Sequence, residues 1–308
     1  MRSKSFTDFD AFALSVQDVE CRMIMQNPRA RVWGLCGVEL DGIDVQLGRV
    51  GSGNIVDGQS RPDGVLLYSP LSDTCEYSAN GIVLPRNAFL ILEPGSDFCL
   101  STRVDHDWCA VFIPTHRLDG VALALPGGCR VTRSLHQASR RFRVAVKQVL
   151  NVAANCSQFE SEAAAKSAAR VLLRLAFEVV GLQQTPEPEK SRGRPRIPRN
   201  EIIRRVKRAI EEGQNESLFV GDLAATAGVS ERTLETVFNE YYGVGPKRYL
   251  QLERLHRIRR ALRAADFEAV SVTDVLVRHG EWEFGRFASR YRRLFGELPS
   301  ETLGTKSA

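Results

Sequence analysis

The chain has 308 residues, of which 43% are hydrophobic and 26% charged, a composition typical of a globular protein long enough for two domains. It has no run of about eighteen apolar residues and no apolar stretch after its first residues, which predicts neither a membrane-spanning helix nor a secretory signal. The net charge of +5 is unevenly distributed along the chain. Residues 190–308 contain 23 Lys and Arg and 16 Asp and Glu, whereas residues 1–189 contain 19 and 21. A polyanion is therefore the expected partner of the basic C-terminal part.

The chain contains seven cysteines, an odd number, and no two of them are separated by two residues. That spacing fits neither a zinc knuckle nor a redox dithiol. We interpret them as reduced thiols of a cytoplasmic protein that pack as small apolar groups, with a thiol sensor as the alternative. They are Cys21, Cys36, Cys75, Cys99, Cys109, Cys129 and Cys156.

Residues 1 to about 125 have the pattern of β-strands, because short apolar runs alternate with turn residues. Asp-Gly and Asn-Gly pairs can adopt the positive φ that tight hairpins need. We therefore predict an antiparallel sandwich or small barrel, with a short helix between Phe6 and Val16. The predicted strands are Val32–Val38, Val65–Tyr68, Ile82–Leu84, Phe89–Leu92 and Trp108–Ile113, and the predicted turns are Asp41-Gly42, Asp57-Gly58, Asp63-Gly64 and Asn80-Gly81.

Residues 134–183 change to a helical period, since apolar side chains recur three and four residues apart. This period predicts two helices that pack on the β-rich part, and a dimer contact through the same helices stays open. The repeating residues are Phe142, Val146 and Val149 in the first segment, and Leu172, Leu175, Val179 and Leu182 in the second.

Residues 184–199 are rich in proline and charge and predict a linker, because such a composition cannot form a core. The linker separates a predicted domain of residues 1–183 from one of residues 200–308. Within it, Arg192-Gly193-Arg194 matches the core of an AT-hook, whose two arginines enter a narrow A·T minor groove. A basic tether is the simpler interpretation of the same residues.

The residues after the linker contain a helix-turn-helix pattern between Val220 and Tyr242. Gly228 can adopt the left-handed conformation that ends a first helix, and Ser230 can cap a second one. In that second helix Leu234 and Phe238 are expected to face inward, which leaves its other face for a DNA major groove. The candidates for base contacts are Arg232, Thr233, Glu235, Thr236 and Asn239.

A longer helix is predicted from Pro246 to about Ala264, and a second helix-turn-helix unit follows in residues 271–295. Ser271 and Asp274 have the spacing of a capping box, and Gly280 is expected to end the first helix of this unit. The predicted buried residues are Leu252, Leu255, Ile258 and Leu262 in the long helix, and Phe287, Tyr291 and Leu294 in the last helix. The candidates for base contacts are Arg286, Ser289 and Arg290, and the candidates for phosphate contacts in both units are Ser230, Lys247, Arg248, Arg292 and Arg293.

This arrangement resembles the AraC/XylS family of bacterial regulators over about residues 201–303. The ordered matches are Leu223-Ala224, Gly228-Val229-Ser230, Thr233-Leu234, Phe238, Gly243-Val244-Gly245-Pro246, Tyr249-Leu250, Gly285-Arg286-Phe287-Ala288, Tyr291-Arg292 and Phe295-Gly296-Glu297-Leu298-Pro299-Ser300. The resemblance implies two recognition helices, held about one DNA turn apart by the long helix. It implies base contacts by Arg232, Glu235, Thr236, Arg286 and Ser289.

The second unit departs from the family pattern in two places. Leu276 stands where a small residue is usual, and Glu281 stands where an aromatic residue usually follows the turn glycine. A shift of one residue would let Trp282 supply that aromatic group. Because Glu281 and Glu283 place negative charge near the DNA, we expect the second unit to bind weakly or to read few bases.

For the whole chain the resemblance implies an α+β protein, with a β-rich sensing domain, its helical pair, and an all-α domain of two helix-turn-helix units. Such a protein is a cytoplasmic, nucleoid-associated regulator, an activator that contacts RNA polymerase and responds to a small-molecule effector. Double-stranded DNA and a second copy of the chain are its other expected partners, without a cofactor, metal or membrane. The sequence does not define the effector pocket, although Trp33, Tyr68 and Trp108 are candidates, with core packing as the alternative.

Two other functions stay open. One is a constitutive dimeric DNA-binding protein without an effector, and the other is a β-barrel enzyme fused to a DNA-binding tail. The first half has only His106, His116 and His136 as histidines, without a His-x-His pair for a barrel metal site. It also has no Gly-x-Ser-x-Gly elbow, P-loop or dinucleotide fingerprint, so we predict no catalytic residue.

Overall fold

The structure, a computed structural model, describes residues 2–71, 77–84, 88–118, 129–133, 136–155, 161–181, 197–213 and 218–304. Contacts divide the chain into two compact units, Met1–Met23 with Asn27–Ser191 and Ile24–Gln26 with Arg192–Ala308. The first unit is β-rich and the second is helical, which confirms the predicted α+β class. None of the described helices is both long enough and apolar enough to cross a membrane.

The described strands form two sheets. The strands are β1 Arg2–Phe6, β2 Val19–Gln26, β3 Trp33–Leu40, β4 Ile43–Val50, β5 Gly53–Ser60, β6 Gly64–Pro70, β7 Tyr77–Ala79, β8 Ile82–Leu84, β9 Ala88–Leu92, β10 Asp97–Thr102, β11 His106–Pro114 and β12 Cys129–Arg133. One sheet has seven strands in the order β1-β3-β4-β11-β6-β9-β12, and the other has five in the order β2-β5-β10-β7-β8.

Two of the predicted turns are hairpins of the expected kind. Asp41 and Gly42 have φ values of 51° and 82° and join β3 to β4, while Asn80 and Gly81 have values of 48° and 80° and join β7 to β8. Positive φ at both central residues is the requirement that Asp-Gly and Asn-Gly meet at low cost. These two predictions are confirmed.

The prediction of a turn at Asp57-Gly58 is wrong, because both residues lie inside β5 and pair with β10. Gly58 is required there by a close approach, not by a turn. A Cβ at this position would lie 2.5 Å from the carbonyl oxygen of Glu20 and 2.6 Å from Cβ of Cys21. At Asp63-Gly64 the turn ends at Asp63, and Gly64 already begins β6.

Two long helices, α2 at His136–Asn155 and α3 at Glu162–Gly181, cover one face of the seven-stranded sheet, as predicted. A shorter helix, α1 at Phe9–Ser15, follows β1 and lies within the predicted helical region. The expected residues of α2 and α3 are buried or partly buried in one apolar core, except Leu182, which lies outside the described residues. The buried helix residues include Phe142, Val146, Leu172, Leu175 and Val179.

Strands β6 and β11 are buried on both faces, which explains their uninterrupted apolar runs. Val65 and Leu67 of β6 belong to the core beneath α2 and α3, as do Cys109 and Val111 of β11. The alternate residues 66 and 68 of β6, and 108 and 110 of β11, line a cavity instead. Successive side chains of a strand point to opposite faces, so the same two strands separate a filled core from a cavity.

The second unit consists of helices in its described part. They are α4 Arg199–Glu212, α5 Val220–Ala227, α6 Glu231–Tyr242, α7 Pro246–Ala264, α8 Val272–Arg278, α9 Phe284–Phe295 and α10 Pro299–Gly304. Most of the predicted linker, together with Arg192 and Arg194 of the AT-hook pattern, lies outside the described residues.

Burial makes several of the described thiols poor nucleophiles. It raises the pKa of Cys109 to about 12, and burial together with the charge of Asp57 does the same for Cys21. Burial also raises the pKa of Cys129 to about 12. Since the thiolate is the reactive form, these three sites favour the interpretation as packing groups over a thiol sensor.

We expect Phe142→Ala to destabilise the protein by about 3–5 kcal/mol, because it removes a fully buried ring that packs edge-on against Phe89 at 5.3 Å between centroids. Urea unfolding followed by circular dichroism measures the effect. Gln148→Ala on the exposed side of the same helix is the control and should change stability by less than about 0.5 kcal/mol. Equal losses in both variants would contradict the assigned packing.

Candidate functional site

The first helix-turn-helix unit consists of α5, a turn and α6. Gly228 has φ of 71° and ends α5, while Val229 donates its amide to the carbonyl oxygen of Ala224 at 3.0 Å. Ser230 caps α6, since its hydroxyl accepts from the amide of Thr233 at 3.2 Å. This turn and its cap are confirmed at the predicted residues.

The predicted base-contact residues of the first unit all lie on the exposed face of α6. Leu234 and Phe238 are fully buried on the opposite face, and the exposed residues are Arg232, Thr233, Glu235, Thr236 and Asn239. Two of these side chains form hydrogen bonds within α6. Thr236 donates to the carbonyl oxygen of Arg232 at 3.0 Å, and Asn239 donates to the carbonyl oxygen of Glu235 at 2.8 Å. Arg232 forms no ion pair with any residue that the structure describes.

Helix α7 follows the first unit and begins with Pro246 at its first position. Lys247 and Arg248 are exposed in its first turn, where they were predicted to contact phosphate. Although much of Arg248 is exposed, partial burial of its guanidinium and then repulsion from Arg293 lower its pKa. Two candidate phosphate contacts, one from α7 and one from α9, therefore lie close enough to repel each other.

One arginine of α7 that sequence analysis did not single out is structural. Arg259 is 5% exposed, pairs with Glu297 at 3.1 Å, and lies 4.4 Å from the ring centroid of Phe295. Its guanidinium therefore lies in the interior of the helical unit and contacts protein groups there. The predicted buried residues of α7, Leu252, Leu255, Ile258 and Leu262, are confirmed.

The second helix-turn-helix unit consists of α8, a turn and α9. Ser271 and Asp274 form the predicted capping box, in which the Ser271 amide donates to the Asp274 carboxylate at 2.9 Å and the Asp274 amide donates to the Ser271 hydroxyl at 3.2 Å. Helix α8 ends at Arg278, and Gly280 follows with φ of 68°. The predicted buried residues Phe287, Tyr291 and Leu294 are confirmed.

The turn of the second unit differs from expectation. Trp282 is 69% exposed and does not supply an inward aromatic group, whereas Glu281 is 6% exposed. The Glu281 carboxylate faces Arg290, with both oxygens 3.4 Å from Nη2. This partner makes burial of the carboxylate tolerable, because an unpaired buried charge is costly.

The predicted contact residues of α9 are exposed, except that Arg290 is half-buried. The exposed residues are Arg286, Ser289, Arg292 and Arg293. Arg286 donates to Glu283 at 2.7 Å, and the Ser289 hydroxyl donates to the carbonyl oxygen of Gly285 at 3.0 Å. The exposed face of α9 is therefore basic, but two of its arginines already have acidic partners.

The β-rich unit contains a separate cavity of about 60 Å³ beside β6 and β11. Its walls are mainly apolar and include four aromatic rings, those of Phe12, Tyr68, Phe98 and Trp108. Gln17, Asn54, Thr102 and His106 supply the polar groups. Of the three aromatic candidates from the sequence, Tyr68 and Trp108 line this cavity, while Trp33 is buried against Phe9 with ring centroids 5.6 Å apart.

His106 is the titratable residue of this wall. Burial lowers its pKa to about 4, although its ring nitrogen Nδ1 lies 3.0 Å from the carbonyl oxygen of Val104. The imidazole is therefore neutral near pH 7. The side chains that line the cavity then carry no formal charge.

A family model described as a helix-turn-helix domain matches residues 223–305. The XylDLEGF operon transcriptional activator 2 of Pseudomonas putida is 38% identical over 104 residues, 34% of this chain and 66% of that protein. The probable thc operon regulatory protein of Rhodococcus erythropolis is 36% identical over 104 residues, 34% of this chain and 31% of that protein. Both matches thus span less than two thirds of the relative's length. The AraC-like transcriptional activator CuxR aligns with 90% of this chain at 16% identity and a TM-score of 0.46, a likeness too distant to support an argument.

We expect stability to fall as the pH decreases from about 6.5 toward 4 through His106. The folded state keeps this ring neutral down to about pH 4, whereas the unfolded chain takes up the proton near pH 6.5. Unfolding then binds a proton, which costs the folded state about 1.4 kcal/mol per pH unit in that window. Urea unfolding at several pH values tests this, with His106→Asn as the variant that lacks the ring. Equal pH slopes in the two proteins would contradict it.

Proposed function

We propose that this chain, whose residues 223–305 are a helix-turn-helix domain of the AraC/XylS type, is a sequence-specific DNA-binding transcription regulator, an activator that responds to a small molecule. One observation carries the proposal. Two capped helix-turn-helix units each bury one face of their second helix and expose a polar or basic face. That arrangement suits insertion of α6 and α9 into successive major grooves.

The first unit is proposed to provide most of the sequence reading. Its exposed face combines Arg232, which can form bidentate hydrogen bonds with guanine, with Thr236 and Asn239. Phosphate contacts are assigned to residues at helix starts and along α9. These are Ser230, Lys247, Arg248, Arg292 and Arg293.

The cavity in the β-rich unit is proposed as the effector site, and its effector as a small, uncharged, mainly apolar compound. With His106 neutral, no charged side chain is available to balance a carboxylate or an ammonium group. A buried unpaired charge would cost several kcal/mol, so the cavity favours a neutral ligand over an ionised one.

The other expected partners stay predictions. Val144 of α2 and Val171 of α3 are both 44% exposed, and these apolar side chains are candidates for a homodimer contact. Contact with RNA polymerase is proposed because the matched protein of Pseudomonas putida is a transcriptional activator. The minor-groove role of Arg192 and Arg194 rests on sequence alone.

We expect Arg232→Ala to weaken binding to the preferred site by about 1–3 kcal/mol and to relax specificity at a single base pair, since one bidentate contact is lost. Selection of binding sequences from a random library, followed by anisotropy titrations, measures both effects. Arg208→Ala on the exposed side of α4 is the matched control for the lost charge. A uniform loss on all sequences would make Arg232 a phosphate contact instead.

We expect small neutral compounds to raise the unfolding temperature, because a ligand that binds only the folded state adds about 2.7 kcal/mol at one hundred times its Kd. Matched pairs such as propanol and propionate test the charge requirement. Ala110→Leu should abolish the stabilisation by filling the cavity. Preference for the carboxylate would contradict the neutral site, and no response to any compound would favour the constitutive alternative.

A further inference from the structure

The two recognition helices differ in how their arginines are held. In the described part of the chain Arg232 of α6 has no acidic partner, whereas Arg286 and Arg290 of α9 each pair with a glutamate from the turn that precedes the helix. The Glu283 partner of Arg286 is 55% exposed, and solvent screens an exposed pair of this kind so that it contributes little. The pair of Glu281 with Arg290 is different, because its carboxylate is only 8% exposed.

Glu281 is fixed in place by its backbone and lies in a cleft that also contains cationic residues. Its amide donates to the carbonyl oxygen of Leu276 at 2.9 Å, which holds the residue against the end of α8. The cleft has a volume of about 400 Å³, and Lys247, Arg254, Glu283 and Arg290 also line it. Of these cations, Arg290 of α9 is the one whose guanidinium lies against the buried carboxylate, where it could otherwise bind a phosphate.

We propose that Glu281 is an internal counter-ion that keeps Arg290 from binding DNA phosphate and so limits the affinity of the second helix-turn-helix unit. A carboxylate and a phosphate compete for the same guanidinium, since both accept its charge-assisted hydrogen bonds. A cation that is already neutralised releases no DNA counter-ions, so it adds nothing to the salt-dependent part of binding. Affinity then depends mainly on the first unit. The inference rests on the proposed DNA-binding function.

The decisive variant is Glu281→Gln in the full chain, because glutamine keeps the shape and removes the charge. The probe is a random-sequence duplex of about 30 base pairs, titrated by anisotropy between about 50 and 200 mM salt. We expect affinity to rise about three- to tenfold near 0.1 M salt and the salt slope to steepen by about 0.9, the value for one added phosphate contact. Glu211→Gln, an exposed residue of α4, is the control for the change in net charge.

Arginine variants test the same idea from the other partner of the pair, and glutamine at position 290 keeps an amide that can donate to the Glu281 carboxylate. In an otherwise unchanged chain, Arg290→Gln should leave affinity within about twofold, whereas Arg292→Gln on the exposed face should lower it several-fold. In the Glu281→Gln background, Arg290→Gln should remove the gain. If Glu281→Gln lowers the unfolding temperature too far for titration, the DNA affinities of Arg290→Gln and Arg292→Gln are compared instead, and this comparison is sufficient to test the proposal.

Two results would overturn the proposal while the DNA-binding function stands. One is a gain in Glu281→Gln no larger than in Glu211→Gln. The other is a loss in Arg290→Gln as large as in Arg292→Gln, which would show that Arg290 already contacts phosphate. Failure of the unchanged chain to bind any duplex would instead defeat the proposed function, and this inference with it.

Discussion

Burial of one face of each recognition helix is the constraint on which the candidate DNA-binding surface depends. Leu234 and Phe238 are buried along α6, and Phe287 and Tyr291 along α9. With 3.6 residues per turn, burial of these positions forces the residues between them to the opposite side. The choice of exposed residues follows from the apolar anchors. The hydroxyl of Tyr291, 2.7 Å from that of Thr302, ties the same helix to α10.

Pairing of charges then distinguishes two units that have the same backbone plan. Among the residues that the structure describes, Arg232 has no acidic partner, while Arg290 has one in Glu281. In the proposed function, the paired arginine of the second helix-turn-helix unit lowers the non-specific affinity for DNA. The first helix-turn-helix unit, whose Arg232 is unpaired among the described residues, would still recognise a specific site. Loss of sequence-independent binding favours specificity because non-specific sites in a genome vastly outnumber the specific one.

The β-rich unit uses two central strands for two purposes. The side chains at positions 65, 67, 109 and 111 fill the core under α2 and α3, and the intervening side chains of the same strands line a cavity. A ligand in that cavity would contact strands whose other face supports the helix pair. Packing on the two faces is thus coupled through a single layer of backbone. This coupling gives an effector a physical route to alter the packing of α2 and α3.

The sequence by itself determined the features that need only local chemistry. Gly228 and Ser230 specify the turn of the first unit, and Asp41-Gly42 specifies a hairpin, because φ preferences and caps act within a few residues. The predicted strands correspond to β3, β6, β8, β9 and β11, while β1, β2, β4, β5, β7, β10 and β12 were not predicted. For β4 the alternating apolar residues 43, 45 and 47 could have indicated the strand.

Only the tertiary structure decided the features that depend on residues distant in sequence. Gly58 lies inside β5 because it pairs with β10, although its Asp-Gly pair predicts a turn, and the approach of Glu20 is what requires a glycine there. Glu281 is buried and Trp282 exposed, the reverse of what hydropathy suggests, because Arg290 lies nine residues further along the chain and faces the carboxylate. The cost of burying a charge depends on where its partner stands, and the fold alone sets that position.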